Sequence, residues 1–267
     1  MLELSRNVRF CLTGDSRELA SARDNTFAAW PAMRGLGRYY ELDVTCVGEA
    51  DPQTGYFINI KAIDEVVRDH ALPMLAERIA DEVAAAATPM GVVMRELFTA
   101  IDPPLNNTVA RIRLALTPTL SFAIERDDMD HVVIRQQYEF SAAHRLHVPS
   151  LSDDENRATF GKCNNPAGHG HNYRVEVAAR CPIDAHGCTL EPADLDAVIN
   201  REAIDQLDHK HLNEDVPEFE NLNPSVEHIV KVVWQMLDGK LPGGATLDEV
   251  KVWETGKTVC AYRGEGG

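Results

Sequence analysis

The sequence predicts an α+β fold built twice, each half a four-stranded antiparallel sheet with two helices on one face. Three observations predict it. Residues 169–177 alternate, with His169, His171, Tyr173, Val175 and Val177 on one face and Asn172, Arg174 and Glu176 on the other. That is the two-residue period of a half-buried strand. Downstream, Leu195, Val198, Ile199, Ala203 and Leu207 recur at helical spacing, and the first half of the chain repeats this order of features.

The repeat is legible in three segments. Thr26 to Val44 aligns without gaps to Thr159 to Val177, sharing Thr-Phe, two glycines and a tyrosine. The stretch 54–67 matches 186–199 with a shift of one residue, and 110–125 parallels 248–263. Each half then reads strand, loop, strand, helix, helix, strand, strand. The join falls at the polar run Arg126–Asp130, which gives a first domain at 1–128 and a second at 129–267. In the first half, Ala84–Ala87 and Met90–Ala100 are helical material. In the second, a helix is expected to open at Asn223-Pro224, a capping residue with proline in the first turn. It carries Val226, Ile229, Val230, Val233 and Leu237 inward.

The 267 residues are 44% hydrophobic and 25% charged, the composition of a soluble globular protein. A net charge of −16 argues against nucleic acid or an anionic membrane surface as a partner, but a local basic cluster can still hold an anionic small molecule. No apolar run reaches the ~20 residues that span a bilayer, and residues 1–15 lack a signal-peptide core, so the expected location is cytoplasmic. Six cysteines without framework spacing are expected to be reduced thiols.

His169 and His171, two apart on a strand, project from one face within reach of one ion, and His144 ends an earlier strand in FSAAHRL. Three imidazoles with one further position is the arrangement of catalytic zinc. The first half has Leu36 and Arg38 at the positions of His169 and His171, on an otherwise preserved strand. The fold tolerates losing the imidazoles, so their purpose in the second half is chemical.

With these strings, FSAAHRL at 140–146, FGKCNNPAGHGHNY at 160–173, LDHKHLN at 207–213, NPSVEHI at 223–229 and VWETGKTVCAYRGE at 252–265, the second half resembles the 6-pyruvoyl-tetrahydropterin synthase family. The resemblance implies the tunnelling fold (T-fold), in which subunits join their sheets into an oligomeric barrel with active sites at subunit interfaces. It also implies zinc and a 7,8-dihydroneopterin triphosphate substrate. Carried over onto this sequence, the family pattern makes His144, His169 and His171 the zinc ligands and Cys163 the catalytic cysteine. It makes Asp208 and His209 the acid–base partners, and Glu254 the carboxylate that anchors the pterin ring.

Each role has a physical rationale. A thiolate beside zinc and histidine has a lowered pKa and can take a proton. Asp208 can fix the tautomer of His209, and Glu254 can accept two hydrogen bonds from the pterin edge. Glu227, in the first turn of its helix, suits the helix dipole or the lining of the pterin pocket. Lys162, Arg145, Arg174 and Lys210 are candidates to meet the triphosphate or are surface charge.

In the first half Trp30 replaces Cys163 and Leu116 replaces Glu254, so residues 1–128 read as a degenerate, non-catalytic unit. One zinc per chain and a homo-oligomer are expected. The leading reaction is a lyase reaction that eliminates triphosphate to give 6-pyruvoyl-tetrahydropterin. The five residues between Cys163 and His169 favour it. The alternative is 6-carboxytetrahydropterin synthase, which releases acetaldehyde on the path to queuosine, and the ending GKTVCAYRGE also resembles that branch. A non-catalytic pterin-binding protein is a third reading.

Overall fold

In the computed structural model, residues 1–13, 30–33 and 35–265 are described. The chain divides into two units, Met1–Ile134 with Cys181–Thr189, and Arg135–Arg180 with Leu190–Gly267. The Thr26-Phe27 opening of the sequence repeat lies outside the described residues. Among the described residues no helix is long and apolar enough to cross a membrane. All six cysteines are free thiols.

In the first unit β1 (Leu2–Leu12) and β2 (Arg38–Gly48) pair antiparallel from Leu2–Gly48 to Leu12–Arg38. The strand order continues through β3 (Val109–Ala115) and β4 (Leu120–Glu125). Alternate residues Val8, Phe10, Leu42, Val44, Ile112, Leu114, Phe122 and Ile124 are buried, as expected where one sheet face is covered. The helical material is α1 (Ile60–Val66), a π-helical turn at Val67–Ala71, α2 (Leu72–Ile79), α3 (Glu82–Ala86) and α4 (Met90–Ile101). Helix α4 buries Val93, Met94, Leu97, Phe98 and Ile101, an i, i+3/i+4 stripe.

The strand order goes on through β5 (Asp128–His144, in the second unit from Arg135), β6 (His169–Pro182, in it up to Arg180), β8 (Thr246–Thr255) and β9 (Thr258–Tyr262), and the short β7 (Lys210–His211) pairs parallel to β5. Along β6 the alternation is as read, Tyr173, Val175 and Val177 being fully buried. The helices are α5 (Asp153–Phe160), α6 (Pro192–Ile199), a π-helical turn at Asn200–Ile204, α7 (Asp205–Leu207), α8 (Leu212–Asp215) and α9 (Val226–Leu237). Both units are therefore α+β, antiparallel sheet plus helices.

One expectation is corrected. Helix α9 does not open at Asn223-Pro224; Ser225 is its N-cap and Val226 its first residue. Asn223 is otherwise engaged. Its side-chain oxygen accepts from the His147 amide at 3.1 Å, and its carbonyl accepts from His228 Nδ1 at 2.7 Å. The Pro224 carbonyl is committed to His144.

The two units share irregularities as well as regular elements. Pairs Glu41–Ala115 and Thr45–Arg111 in β2–β3 answer, through the alignment, to Arg174–Trp253 and Ala178–Glu249 in β6–β8. The register shifts once in each ladder, between Thr45 and Cys46 and between Ala178 and Ala179, which are aligned positions. Each first helix contains one π turn. Around it the buried residues are spaced by four: Ile63, Val67, Ala71 and Leu75 in one unit, Leu195, Ile199, Ala203 and Leu207 in the other. At 3.6 residues per turn such a row would drift by about 40° at every step. The wider i→i+5 turn takes up the surplus.

Candidate metal and catalytic site

The site is assembled where β5 ends and β6 begins. His144 is the last residue of β5 and is fully buried; His169 and His171 are the first and third residues of β6. Their ring centroids lie 4.5, 5.2 and 4.8 Å apart in the pairs 144–169, 144–171 and 169–171. One ligand atom from each fits within a 4.8 Å cluster. All three Nε2 atoms are buried without a hydrogen-bond partner, so the donor set fits a metal ion. A carbonyl oxygen can only accept, so His144 Nδ1 donates to Pro224, at 2.7 Å. That bond fixes the tautomer and leaves the Nε2 lone pair for the ion. Burial pushes the His144 imidazole down to about 4, with His169, His171 and His211 adding repulsion against the opposing effect of the Pro224 bond. His169 is lowered too, by burial and then by His171. Neutral imidazole is the form that binds metal.

The loop before β6 brings Cys163 alongside. Helix α5 starts with a capping box, in which Ser152 and Glu155 satisfy each other's amides. Buried Asn156 then ties the helix back, donating to the Val148, Leu151 and Ser152 carbonyls and accepting from the Val148 amide. Cys163 lies on the following 3₁₀ turn (Gly161–Asn164), half-buried, and its carbonyl accepts from the Leu146 amide at 2.8 Å. Burial and then the nearby Glu254 charge push its thiol up. A lowered thiol pKa would have to come from the charge of a bound ion. Gly168, with φ +69°, closes the turn; a Cβ there would lie 2.8 Å from His211 Nε2 and 3.0 Å from the His144 carbonyl oxygen.

Asp208 follows α7. Its Oδ1 accepts from the Ser141 amide at 2.8 Å and its Oδ2 faces His209 Nδ1 at 2.7 Å. These two bonds, the Ser141 amide first, hold the carboxyl below its usual range. The His209 amide in turn bonds the Ser141 carbonyl at 2.6 Å, and His209 adopts a left-handed φ of 56°. The imidazole is thereby held outward, 82% exposed, beside the strand that carries His144. His209, Lys210 and His211 line an open cleft of about 690 Å³ with Ser141, Gly170 and His171.

Glu254 near the end of β8 reaches the triad: its Oε1 is 3.6 Å from His144 Nε2 and 3.8 Å from His171 Nε2. Glu227 is exposed in the first turn of α9, where the Ser225 side chain and its own amide hold it low, and its charge raises the Cys260 thiol. Of the basic candidates, Lys210 lines the cleft, Arg174 lies over the Trp253 ring at 4.4 Å, and Arg145 contacts the Asn164 carbonyl and His147.

Two residues not singled out by their chemistry also belong to the site. Tyr173 is fully buried with its hydroxyl unpartnered, and burial, then the charges of Glu254 and Cys163, push its phenol far up. His211 lines the cleft with a buried, unpartnered Nδ1. The strand spacing His209–His211 and the continuation of the 169–171 row to Tyr173 were the available signals.

The sequence profile described as 6-pyruvoyl tetrahydropterin synthase matches residues 133–265. Human 6-pyruvoyl tetrahydrobiopterin synthase is 43% identical over 133 residues, 49% of this chain and 91% of that protein. The chain belongs to the 6-pyruvoyl tetrahydropterin synthase family. This is a family of enzymes, lyases acting in tetrahydropterin synthesis. The synthase of Drosophila melanogaster is 45% identical over 126 residues, 47% of this chain and 75% of that protein. Among solved structures, the Caenorhabditis elegans 6-pyruvoyl tetrahydropterin synthase is 36% identical and covers 51% of this chain and 96% of that chain, with a TM-score of 0.48. The family's matched span contains His144, Cys163, His169, His171, Asp208, His209, Glu227 and Glu254.

Proposed function

We propose that residues 129–267 form a zinc-dependent lyase that converts 7,8-dihydroneopterin triphosphate to 6-pyruvoyl-tetrahydropterin with elimination of triphosphate. The observation that carries this reading is the convergence of three unpartnered Nε2 atoms beside a half-buried thiol and a docked Asp–His pair. Family membership supports the substrate class, since the human and fly relatives are named for this activity.

His144, His169 and His171 would hold the zinc, which supplies Lewis-acid polarisation of substrate oxygens. Cys163 takes the proton from the side-chain carbon next to the polarised oxygen. His209, oriented by Asp208, exchanges a proton with the substrate from the cleft side. Glu254 accepts hydrogen bonds from the pterin edge once substrate is seated. Lys210 lines the cleft, which supports a role in meeting anionic oxygens.

Residues 1–128 are read as a second, non-catalytic copy of the same T-fold unit. Matching ladders, matching register shifts and matching π turns support a duplication more strongly than shared residues alone, because such irregularities are costly to arrive at twice. The site positions in that copy carry Trp30, half-exposed, and Leu36, fully exposed. The outer edges of β1 and β9 end the strand orders of their units. Open edges of this kind favour strand addition from another copy, which supports a homo-oligomer with sheets joined into a barrel.

The test is incubation with 7,8-dihydroneopterin triphosphate. Triphosphate and a pyruvoyl pterin are the expected products, whereas acetaldehyde with a carboxylated pterin would assign the 6-carboxytetrahydropterin synthase reaction instead. Cys163→Ala should cut turnover by at least about a hundredfold while the metal stays bound. Full activity in that variant would remove the thiol from the mechanism.

A further inference from the structure

We infer that Glu254 is itself a ligand of the bound ion before substrate arrives, and that it leaves the ion when the pterin edge claims its carboxylate. This rests on the three-histidine reading of the metal site and goes beyond Glu254's role as a pterin anchor.

The argument begins with which atoms face each other. His144 Nδ1 donates to the Pro224 carbonyl, so its Nε2 presents a lone pair. Glu254 Oε1 stands 3.6 Å from that nitrogen and 3.8 Å from His171 Nε2, and neither nitrogen has a hydrogen-bond partner. A carboxylate oxygen turned toward the lone pair of a neutral imidazole is repelled unless a cation sits between them. Zinc bonds of 2.0–2.2 Å in a tetrahedron put ligand atoms roughly 3.3–3.6 Å apart, and Glu254 Oε1 stands at 3.6 and 3.8 Å from two of the three nitrogens. The carboxylate is only 19% exposed, so bulk water does not explain its direction.

The backbone explains how a strand residue comes to point there. In the β8–β9 ladder Trp253 pairs with Val259 and Thr255 with Thr258, so Glu254 is the extra residue of a bulge. A bulge re-aims the side chain of its unpaired residue. The first unit keeps a comparable irregularity, the amides of both Leu116 and Thr117 bonding the Leu120 carbonyl, but has leucine where a carboxylate would be. The bulge therefore belongs to the scaffold and the carboxylate to the metal-bearing unit.

A ligand that also binds the pterin couples the two events. With Glu254 on the ion, the fourth position is held by the protein; when the pterin edge takes the carboxylate, that position passes to a substrate oxygen. The ion then becomes fully available only when a pterin is in place.

The experiment uses the full chain loaded with cobalt(II) in place of zinc, because cobalt's visible absorption reports its ligands directly. Without substrate, Glu254→Gln should change the band positions and weaken cobalt affinity about tenfold or more. Glu254→Asp, which keeps the charge, should stay closer to the parent. Adding 7,8-dihydroneopterin should move the parent spectrum and leave that of Glu254→Gln nearly unchanged. Superimposable spectra and equal affinities in parent and Glu254→Gln overturn the proposal while leaving the three-histidine site standing. A chain that takes up no cobalt with or without Glu254 overturns the metal reading itself, and this proposal with it.

Discussion

A single hydrogen bond, from His144 Nδ1 to the Pro224 carbonyl, decides how the buried imidazole can behave. It commits one nitrogen to donation, and burial holds the ring neutral down to about 4 against a reference of 6.5. The sign of the pH effect follows. Between 6.5 and about 4 the unfolded chain binds a proton at this position and the folded, metal-stripped protein does not. Stability therefore rises with pH across that window and is lost as pH falls through it, by up to about 3 kcal/mol. Urea melts of the metal-stripped protein at pH 7 and pH 4.5 should show the loss, and His144→Asn should flatten the difference. An equally steep decline in that variant would assign the effect to other groups. His169 and His171 were legible in the sequence because strand alternation puts HxH on one face, and His144 because it ends an earlier strand in FSAAHRL, a string that carries the family resemblance. The approach of Glu254 to them was not, because it depends on a bulge that no local pattern announces.

Periodicity made the elements legible wherever one face is buried, and left them obscure at their ends. Along β6 and α9 the apolar rows were read correctly, since Val175, Val177, Ile229 and Val233 have nowhere else to go. The start of α9 differs from the expectation because Asn223 and Pro224 carry strong capping signals that tertiary bonds to His147 and His144, and a local one to His228, override. The turn into β6 shows the same dependence on long-range partners. Gly168 has a left-handed φ of 69°, and its position leaves no room beside the His144 carbonyl, a backbone atom that cannot swing aside. Gly168→Ala should lower stability by about 1–3 kcal/mol and weaken metal retention, since His169 is the next residue. Gly161→Ala separates the two effects: with φ 54° and ψ −123° it adds backbone strain, but no atom lies within 4 Å of the new Cβ. A parent-like melting temperature for Gly168→Ala would mean that the close approach there is relieved at no cost.

At the scale of the whole molecule the two units share ladder registers, register shifts and π turns and differ in the side chains set on them. Among the described residues the only cluster of three histidine, cysteine or carboxylate groups suited to a metal lies in the second. Metal analysis of the purified chain should return one zinc per chain, and light scattering should show a multiple of the chain mass; two zincs per chain would contradict the assignment of the first unit as non-catalytic. The shared π turns carry a consequence for how the gene can vary. Each holds one residue more than an ordinary turn, so losing one codon between 200 and 204, or between 67 and 71, would return the helix to ordinary pitch with the residues beyond it still in phase. Gaining one more codon would instead rotate everything beyond by about 100°. Between 200 and 204 that would take Asp208 off the Ser141 amide and His209 off the cleft. Between 67 and 71 it would disturb the packing of Ala71 and Leu75. Insertions in these two matching stretches should therefore be borne unequally: repacking in the first unit, inactivation in the second.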